Sequence, residues 1–148
     1  VIDRGRVYAI SHSGRMVAID QTTGRRVWET DVGGVNQPWV AGNFIFVVST
    51  EGDVVALVAE NGLVRWVTPL GRYEDPDDRE GLINWSGPVL ASDRLIVTGS
   101  HGVAVVLSPY SGKIIGEVEM PDDISLPPVL ADETLYFQTD GARLIAYR

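Results

Sequence analysis

Short apolar runs, separated by glycine-rich and polar breaks, recur along the whole chain: Val7 to Ile10, Phe44 to Val48, Leu95 to Thr98 and Leu135 to Phe137. β-Branched and aromatic residues dominate them and suit a pleated, half-buried surface, so each run is expected to be a β-strand. No segment repeats apolar residues at helical spacing, and no helix is predicted. One phrase leads into the runs. It reads Pro38-Trp39-Val40-Ala41-Gly42, Pro88-Val89-Leu90-Ala91-Ser92 and Pro128-Val129-Leu130-Ala131-Asp132, and Val1-Ile2-Asp3-Arg4 enters it one residue late. A glycine follows each run, with Gly14, Gly52 and Gly102 at matching places and Gly141 one residue early. Glycine adopts positive φ freely, so these positions predict hairpin turns into a second strand.

The second strand leads to a second shared phrase. Ala18-Ile19-Asp20-Gln21-Thr22-Thr23-Gly24-Arg25-Arg26-Val27-Trp28 and Ala56-Leu57-Val58-Ala59-Glu60-Asn61-Gly62-Leu63-Val64-Arg65-Trp66 have the same spacing. Asp20 and the Thr-Gly or Asn-Gly pair suit a tight turn in which Gly24 or Gly62 takes positive φ and a side-chain oxygen holds nearby backbone donors. An indole is too large for one thin sheet to cover, so Trp28 and Trp66 are expected to dock between neighbouring sheets and set their spacing. In the third unit Ser108, Gly112 and Gly116 fall at the Asp, Gly and Trp places. That unit keeps the turn and loses the aromatic wedge.

Units of about 40 residues with short strands and frequent turns predict an all-β chain built as a β-propeller, with blades at about 1–36, 37–86, 87–126 and 127–148. Trp-Asp blades are disfavoured because that dipeptide is absent, and kelch blades because the Gly33-Gly34 pair does not recur. The fourth unit ends at Leu144-Ile145-Ala146-Tyr147-Arg148, the counterpart of Met16 to Asp20, so its outer strand is missing. About four blades of a probable eight are therefore expected, as the C-terminal part of a longer ring. Alone, such a fragment is expected to self-associate through its open blade faces.

The 148 residues carry 20 acidic against 12 basic side chains, a net charge of −8 that opposes a nucleic-acid backbone. No apolar run approaches the length of a membrane span, the longest being Val54 to Ala59. The absence of cysteine removes disulfides, thiolate catalysis and zinc-thiolate sites.

The phrase at 18 to 28 resembles the repeat of pyrroloquinoline-quinone-like propellers. The longer run Val35-Asn36-Gln37-Pro38-Trp39-Val40-Ala41-Gly42-Asn43, with Val64-Arg65-Trp66-Val67-Thr68, Gly87-Pro88-Val89-Leu90, Leu126-Pro127-Pro128-Val129 and the terminal Leu144 to Arg148, is similar to the propeller lipoproteins of the outer-membrane β-barrel assembly machinery. That resemblance implies a periplasmic, outer-membrane-associated scaffold. It also implies a lipidated cysteine upstream of Val1 and, as partner, the POTRA domains of the central assembly subunit. It implies no cofactor. The alternative is a quinone-dependent dehydrogenase or a ligand-sensing propeller. Resemblance to those enzymes would demand a stacking tryptophan, calcium-binding carboxylates and commonly a vicinal cysteine pair.

An insertion, Gly71 to Trp85, lengthens the second unit and reads as its one long loop. Loops on rigid scaffolds often carry function. Tyr73 and Trp85 are expected to frame an acidic tip containing Asp75, Asp77 and Asp78, as aromatic anchors accompany charge at protein interfaces. Trp39 stands where the other units carry valine, so its extra surface is expected to reach a blade end or a partner. After Asp75-x-Asp77 the run lacks the ligand spacing of an EF-hand, and no metal site is predicted. His12 and His101, the only histidines, fall in turns before a blade glycine. There is no Gly-x-Ser-x-Gly elbow and no phosphate-cradling loop, so no catalytic residue is assigned and a non-catalytic protein-binding scaffold is expected.

Overall fold

The computed structural model describes all residues, Val1 to Arg148, as a chain of seventeen β-strands and no helix. The first sheet is β1 (Ile2–Asp3), β2 (Arg6–Ser11), β3 (Arg15–Asp20) and β4 (Arg26–Thr30). The second is β5 (Trp39–Ala41), β6 (Phe44–Val48), β7 (Asp53–Val58) and β8 (Val64–Pro69). A two-stranded hairpin, β9 (Tyr73–Asp75) and β10 (Glu80–Leu82), interrupts the series. The third sheet is β11 (Trp85–Ala91), β12 (Arg94–Gly99), β13 (Val103–Leu107) and β14 (Ile114–Glu119), and a three-stranded sheet follows of β15 (Val129–Ala131), β16 (Thr134–Gln138) and β17 (Leu144–Tyr147). Within each sheet, every strand pairs antiparallel with its neighbour in the chain. The missing outer strand of the last sheet is as the sequence predicts.

Successive sheets stack face on face, and β11 lies against both β5 and β15, so the first strands converge toward a common axis. Three apolar seams fill the spaces between sheets. The first seam joins Tyr8, Met16, Ala18 and Trp28 to Ile45, Val47, Val55 and Leu57. The second joins Phe46, Val48, Val54 and Ala56 to Leu95, Val97, Val105 and Leu107. Smaller, the third joins Ala91, Ile96 and Ala104 to Ile124 and Phe137. β6 therefore buries both faces, which is why Phe44 to Val48 reads as a continuous apolar run and not an alternating one. Each fully buried Leu or Ile contributes about 1.5 to 3 kcal/mol to this stacking.

The three complete sheets share one irregularity. Register shifts between Ala18 and Ile19, Ala56 and Leu57, and Val106 and Leu107, each facing the fourth strand. Such a bulge increases local twist and re-aims the neighbouring side chain. Just before it Trp28 pairs with Ala18, Trp66 with Ala56 and Gly116 with Val106. The indole N–H of Trp28 donates to the Ala59 carbonyl at 3.0 Å, and that of Trp66 donates to the Pro109 carbonyl at 3.0 Å. Each ring thus spans a seam. Each also lies on a glycine of the next sheet: a Cβ at Gly62 would fall 2.6 Å from Trp28, and one at Gly112 2.5 Å from Trp66.

The turn before each wedge is held locally. Asp20 accepts from the backbone N–H of Thr22 at 3.0 Å and of Thr23 at 2.7 Å, and from the Thr23 hydroxyl at 2.9 Å. The Thr23 backbone bond, reinforced by its hydroxyl, holds the Asp20 carboxyl below its ordinary value. Gly24, Gly62 and Gly112 close these turns at φ of 69°, 73° and 72°.

The last hairpin departs from the simple glycine rule. Positive φ falls on Ala142 (60°), the counterpart of Gly14, Gly52 and Gly102, and not on Gly141. Gly141 is bare for another reason: a Cβ there would lie 2.6 Å from the Asp122 carboxylate and displace it from Thr139 and Arg143.

Candidate protein-interaction site

The insertion expected as a loop is a hairpin. Asp75 pairs with Glu80 and Tyr73 with Leu82. Its tip is built by Asp75, whose carboxylate accepts from the backbone N–H of Asp77 at 3.0 Å and of Asp78 at 3.2 Å. Asp75 is thereby engaged in shaping the tip, while Glu74, Asp77, Asp78 and Glu80 stand in solvent. The base is tied to the scaffold in three ways. Ile83 N–H donates to the Arg72 carbonyl at 2.8 Å, Trp85 Nε1–H donates to the Gly71 carbonyl at 2.7 Å, and Arg72 pairs with Glu51 at 2.9 Å. The ion pair is exposed and contributes at most about 1 kcal/mol. The two backbone-directed bonds fix the base.

Trp85 corrects an expectation. Its ring is 8% exposed, belongs to the second seam and meets His101 edge-on at 5.4 Å. The reason is that β11 starts at Trp85, three residues before the proline of its phrase, and carries the ring inside the stack. Trp85 anchors the hairpin from below, and only its edge reaches the depression at the hairpin base. Tyr73 is half-buried in β9. Trp39 is half-buried in β5, packs on the second seam, and borders a separate cleft of about 210 Å³ with Gln37, Pro88 and Pro128, where the first strands converge. The structure does not bring Trp39 together with the hairpin.

A feature that sequence reasoning missed lies at the hairpin base. A depression of about 270 Å³ is bordered by His12, Val35, Asn36, Arg72, Leu82 and Asn84. Val35 is 71% and Leu82 56% exposed, so the depression at the base of the acidic hairpin carries two exposed apolar side chains. Val35 comes from the linker between the first two sheets and Leu82 from β10, and only the fold brings them together. Their one sequence signal is the apolar pair Leu82-Ile83 that closes an otherwise largely charged insertion. No three His, Asp or Glu side chains converge closely enough to hold a metal ion. The arrangement can offer charge, shape and apolar area to a protein surface.

Comparison with known proteins accords with this architecture. A family model described as outer membrane protein assembly factor BamB matches residues 1–68. Outer membrane protein assembly factor BamB of Escherichia coli (strain K12) is 28% identical over 143 residues, covering 95% of this chain and 34% of the relative. The chain thus spans about a third of the length of the curated relatives it matches. The crystal structure of BamB from Moraxella catarrhalis superposes with a TM-score of 0.82 at 21% identity, over 99% of this chain and 42% of that one. A quinohemoprotein alcohol dehydrogenase from Comamonas testosteroni shares the fold more distantly, with a TM-score of 0.66 at 18% identity over 80% of this chain and 20% of that one. From its repeated wedge phrase to its stacked four-stranded sheets, the chain is a partial β-propeller of pyrroloquinoline-quinone-like repeats that resembles outer membrane protein assembly factor BamB over nearly its whole length.

Proposed function

We propose that the chain is a non-catalytic protein-interaction scaffold of the outer-membrane β-barrel assembly complex, working in the periplasm, with its membrane attachment through a lipid anchor outside these residues. Its partners are proteins, with the POTRA domains of the central assembly subunit as the first candidate. Two facts support this reading: the chain-long similarity to assembly factors, and the acidic hairpin on a rigid stack. The hairpin is the observation that carries the contact, because it presents free carboxylates at its tip and exposed Leu82 at its base. The net negative charge of the tip, in which Arg79 is outnumbered by carboxylates, steers a cationic partner toward the site, and exposed Leu82 adds apolar contact there. The likeness to a quinohemoprotein dehydrogenase is one of fold, and fold does not carry function.

The test is to neutralise the tip isosterically in the intact protein, with Asp75→Asn, Asp77→Asn, Asp78→Asn and Glu80→Gln together. Asparagine at 75 keeps an acceptor for the tip N–H groups, so stability should change by about 0.5 kcal/mol or less. Association with the central assembly subunit should slow about tenfold at low salt and lose most of its salt dependence. Unchanged association kinetics at two ionic strengths, with normal folding, would remove the hairpin from the contact.

A further inference from the structure

The depression at the hairpin base is built from stretches of chain that the fold alone brings together: the turn after β2 with His12, the linker after β4 with Val35 and Asn36, and the end of the insertion from Leu82 to Asn84. At about 270 Å³ it is smaller than an ordinary small-molecule pocket and suits a single side chain. Its lining combines apolar Val35, Leu82 and Ile83 with polar groups that this chain leaves free. Asn36 donates to the Trp85 carbonyl at 2.8 Å and keeps its amide oxygen unused, and neither the Asn84 side-chain amide nor the Thr50 hydroxyl makes a hydrogen bond. Arg72 on the rim is paired with Glu51 at 2.9 Å. The hairpin sets a carboxylate at a fixed distance from the apolar lining. Tyr73 and Asp75 are two residues apart on β9 and share a face, and their cross-strand partners Leu82 and Glu80 take the same face. Gly81 and Glu74 lie on the other, where a Cβ at Gly81 would fall 3.0 Å from that of Glu74. Glu80 therefore stands about 7 Å along the strand from Leu82, with Asp75 opposite it and both carboxylates exposed.

We propose that the depression receives an aliphatic side chain of leucine size from an extended segment of the protein partner, and that a lysine or arginine two residues away in that segment pairs with Glu80. This rests on the protein-binding function proposed above and names the chemistry of its partner. Three observations select that occupant. An extended chain carries the side chains of residues i and i+2 on one face, about 7 Å apart, which matches the spacing of Leu82 and Glu80. The charge around Glu80 favours a cation, since Arg79 is outnumbered by Glu74, Asp75, Asp77, Asp78 and Glu80 itself. The free groups of Asn36, Thr50 and Asn84 include both donors and acceptors, and an extended segment brings main-chain N–H and C=O groups that need such partners once they leave water. An acidic segment would meet Glu80 and Asp75 as like charges.

The experiment titrates the intact protein with the acetylated and amidated peptide Thr-Lys-Thr-Leu-Thr-Lys-Thr, which offers a lysine two residues to either side of its leucine. Methyl NMR should show saturable shifts at Val35 and Leu82. Replacing the leucine by threonine should weaken binding about tenfold, the loss of a mostly buried aliphatic side chain. Replacing both lysines by glutamine should weaken it about threefold, as for one exposed ion pair. In Glu80→Gln the lysine and glutamine peptides should bind alike, a reciprocal loss that the general charge of the surface would not give. Leu82→Asn and Val35→Asn change exposed side chains and should each weaken the leucine peptide, so the test survives if one of them fails to fold. Unshifted methyls at millimolar peptide overturn the proposal even where the central assembly subunit associates normally, and so does a leucine-free peptide that binds as well. A glutamine peptide as tight as the lysine one overturns the pairing with Glu80. Leucine-dependent binding by a protein that does not associate with the central subunit would keep this site and overturn the function proposed above.

Discussion

Trp28→Ala will destabilise the protein by about 3 to 5 kcal/mol, the cost of a large aromatic cavity in a seam that cannot collapse. The ring is 9% exposed, packs on Tyr8 at a centroid distance of 6.0 Å, and donates its N–H across the seam to Ala59. Truncation therefore removes apolar area and one hydrogen bond across the seam, while Arg6 and Tyr8 still donate to the Ala59 carbonyl. Trp66→Ala should cost less, about 2 to 4 kcal/mol, because that indole is only half-buried although it makes the same bond to Pro109. Arg25→Ala, at an exposed site in the same turn, should cost about 0.5 kcal/mol or less. Denaturant melts of the three variants check the order. Equal small effects would mean that the indoles do not hold the sheets together.

Gly62→Ala will cost about 2 to 4 kcal/mol, and its loss can be separated into two parts. The new methyl meets the Trp28 ring at 2.6 Å, an overpacking worth about 1 to 3 kcal/mol, and φ of 73° adds about 1 kcal/mol for a non-glycine residue. Gly24 provides the control. It closes the equivalent turn at φ of 69° with nothing within 4 Å of its would-be Cβ, so Gly24→Ala should cost only about 1 kcal/mol. In a Trp28→Ala background the clash at 62 disappears, and Gly62→Ala should fall to the value found at 24. That coupling of about 1 to 3 kcal/mol is read by a double-mutant cycle. Additive losses would place the indole elsewhere.

The parts of the fold legible in the sequence are those set by local chemistry. β6 follows from Phe44 to Val48, the turns from Asp20 with Gly24 and from Asn61 with Gly62, and the incomplete last sheet from the end of the repeat at Arg148. Of the long-range contacts, the docking of Trp28 and Trp66 between sheets is legible from the repeat, and those outside the repeat are not. Trp85 reads as part of a surface loop until β11 carries it under the hairpin and against His101. Gly141 reads as a turn glycine, yet its bareness answers to Asp122, while Ala142 bears the positive φ. β9 and β10 escaped notice because short, largely solvated strands such as Tyr73–Asp75 and Glu80–Leu82 show no alternation of buried and exposed positions. The same holds for the candidate site. Its charge was visible at Asp75, Asp77 and Asp78, but the depression bordered by Val35 and Leu82 exists only once the chain is folded. The missing wedge at Gly116 is legible too.

The central claim is that this propeller works by binding protein. It is tested most directly by calorimetric titration of the intact protein with the POTRA region of the central assembly subunit at two salt concentrations. Saturable binding at micromolar concentration or below, weakened by salt, is the result expected from an acidic, rigid scaffold. No detectable association with that region, alongside saturable micromolar binding of pyrroloquinoline quinone with calcium, would contradict it.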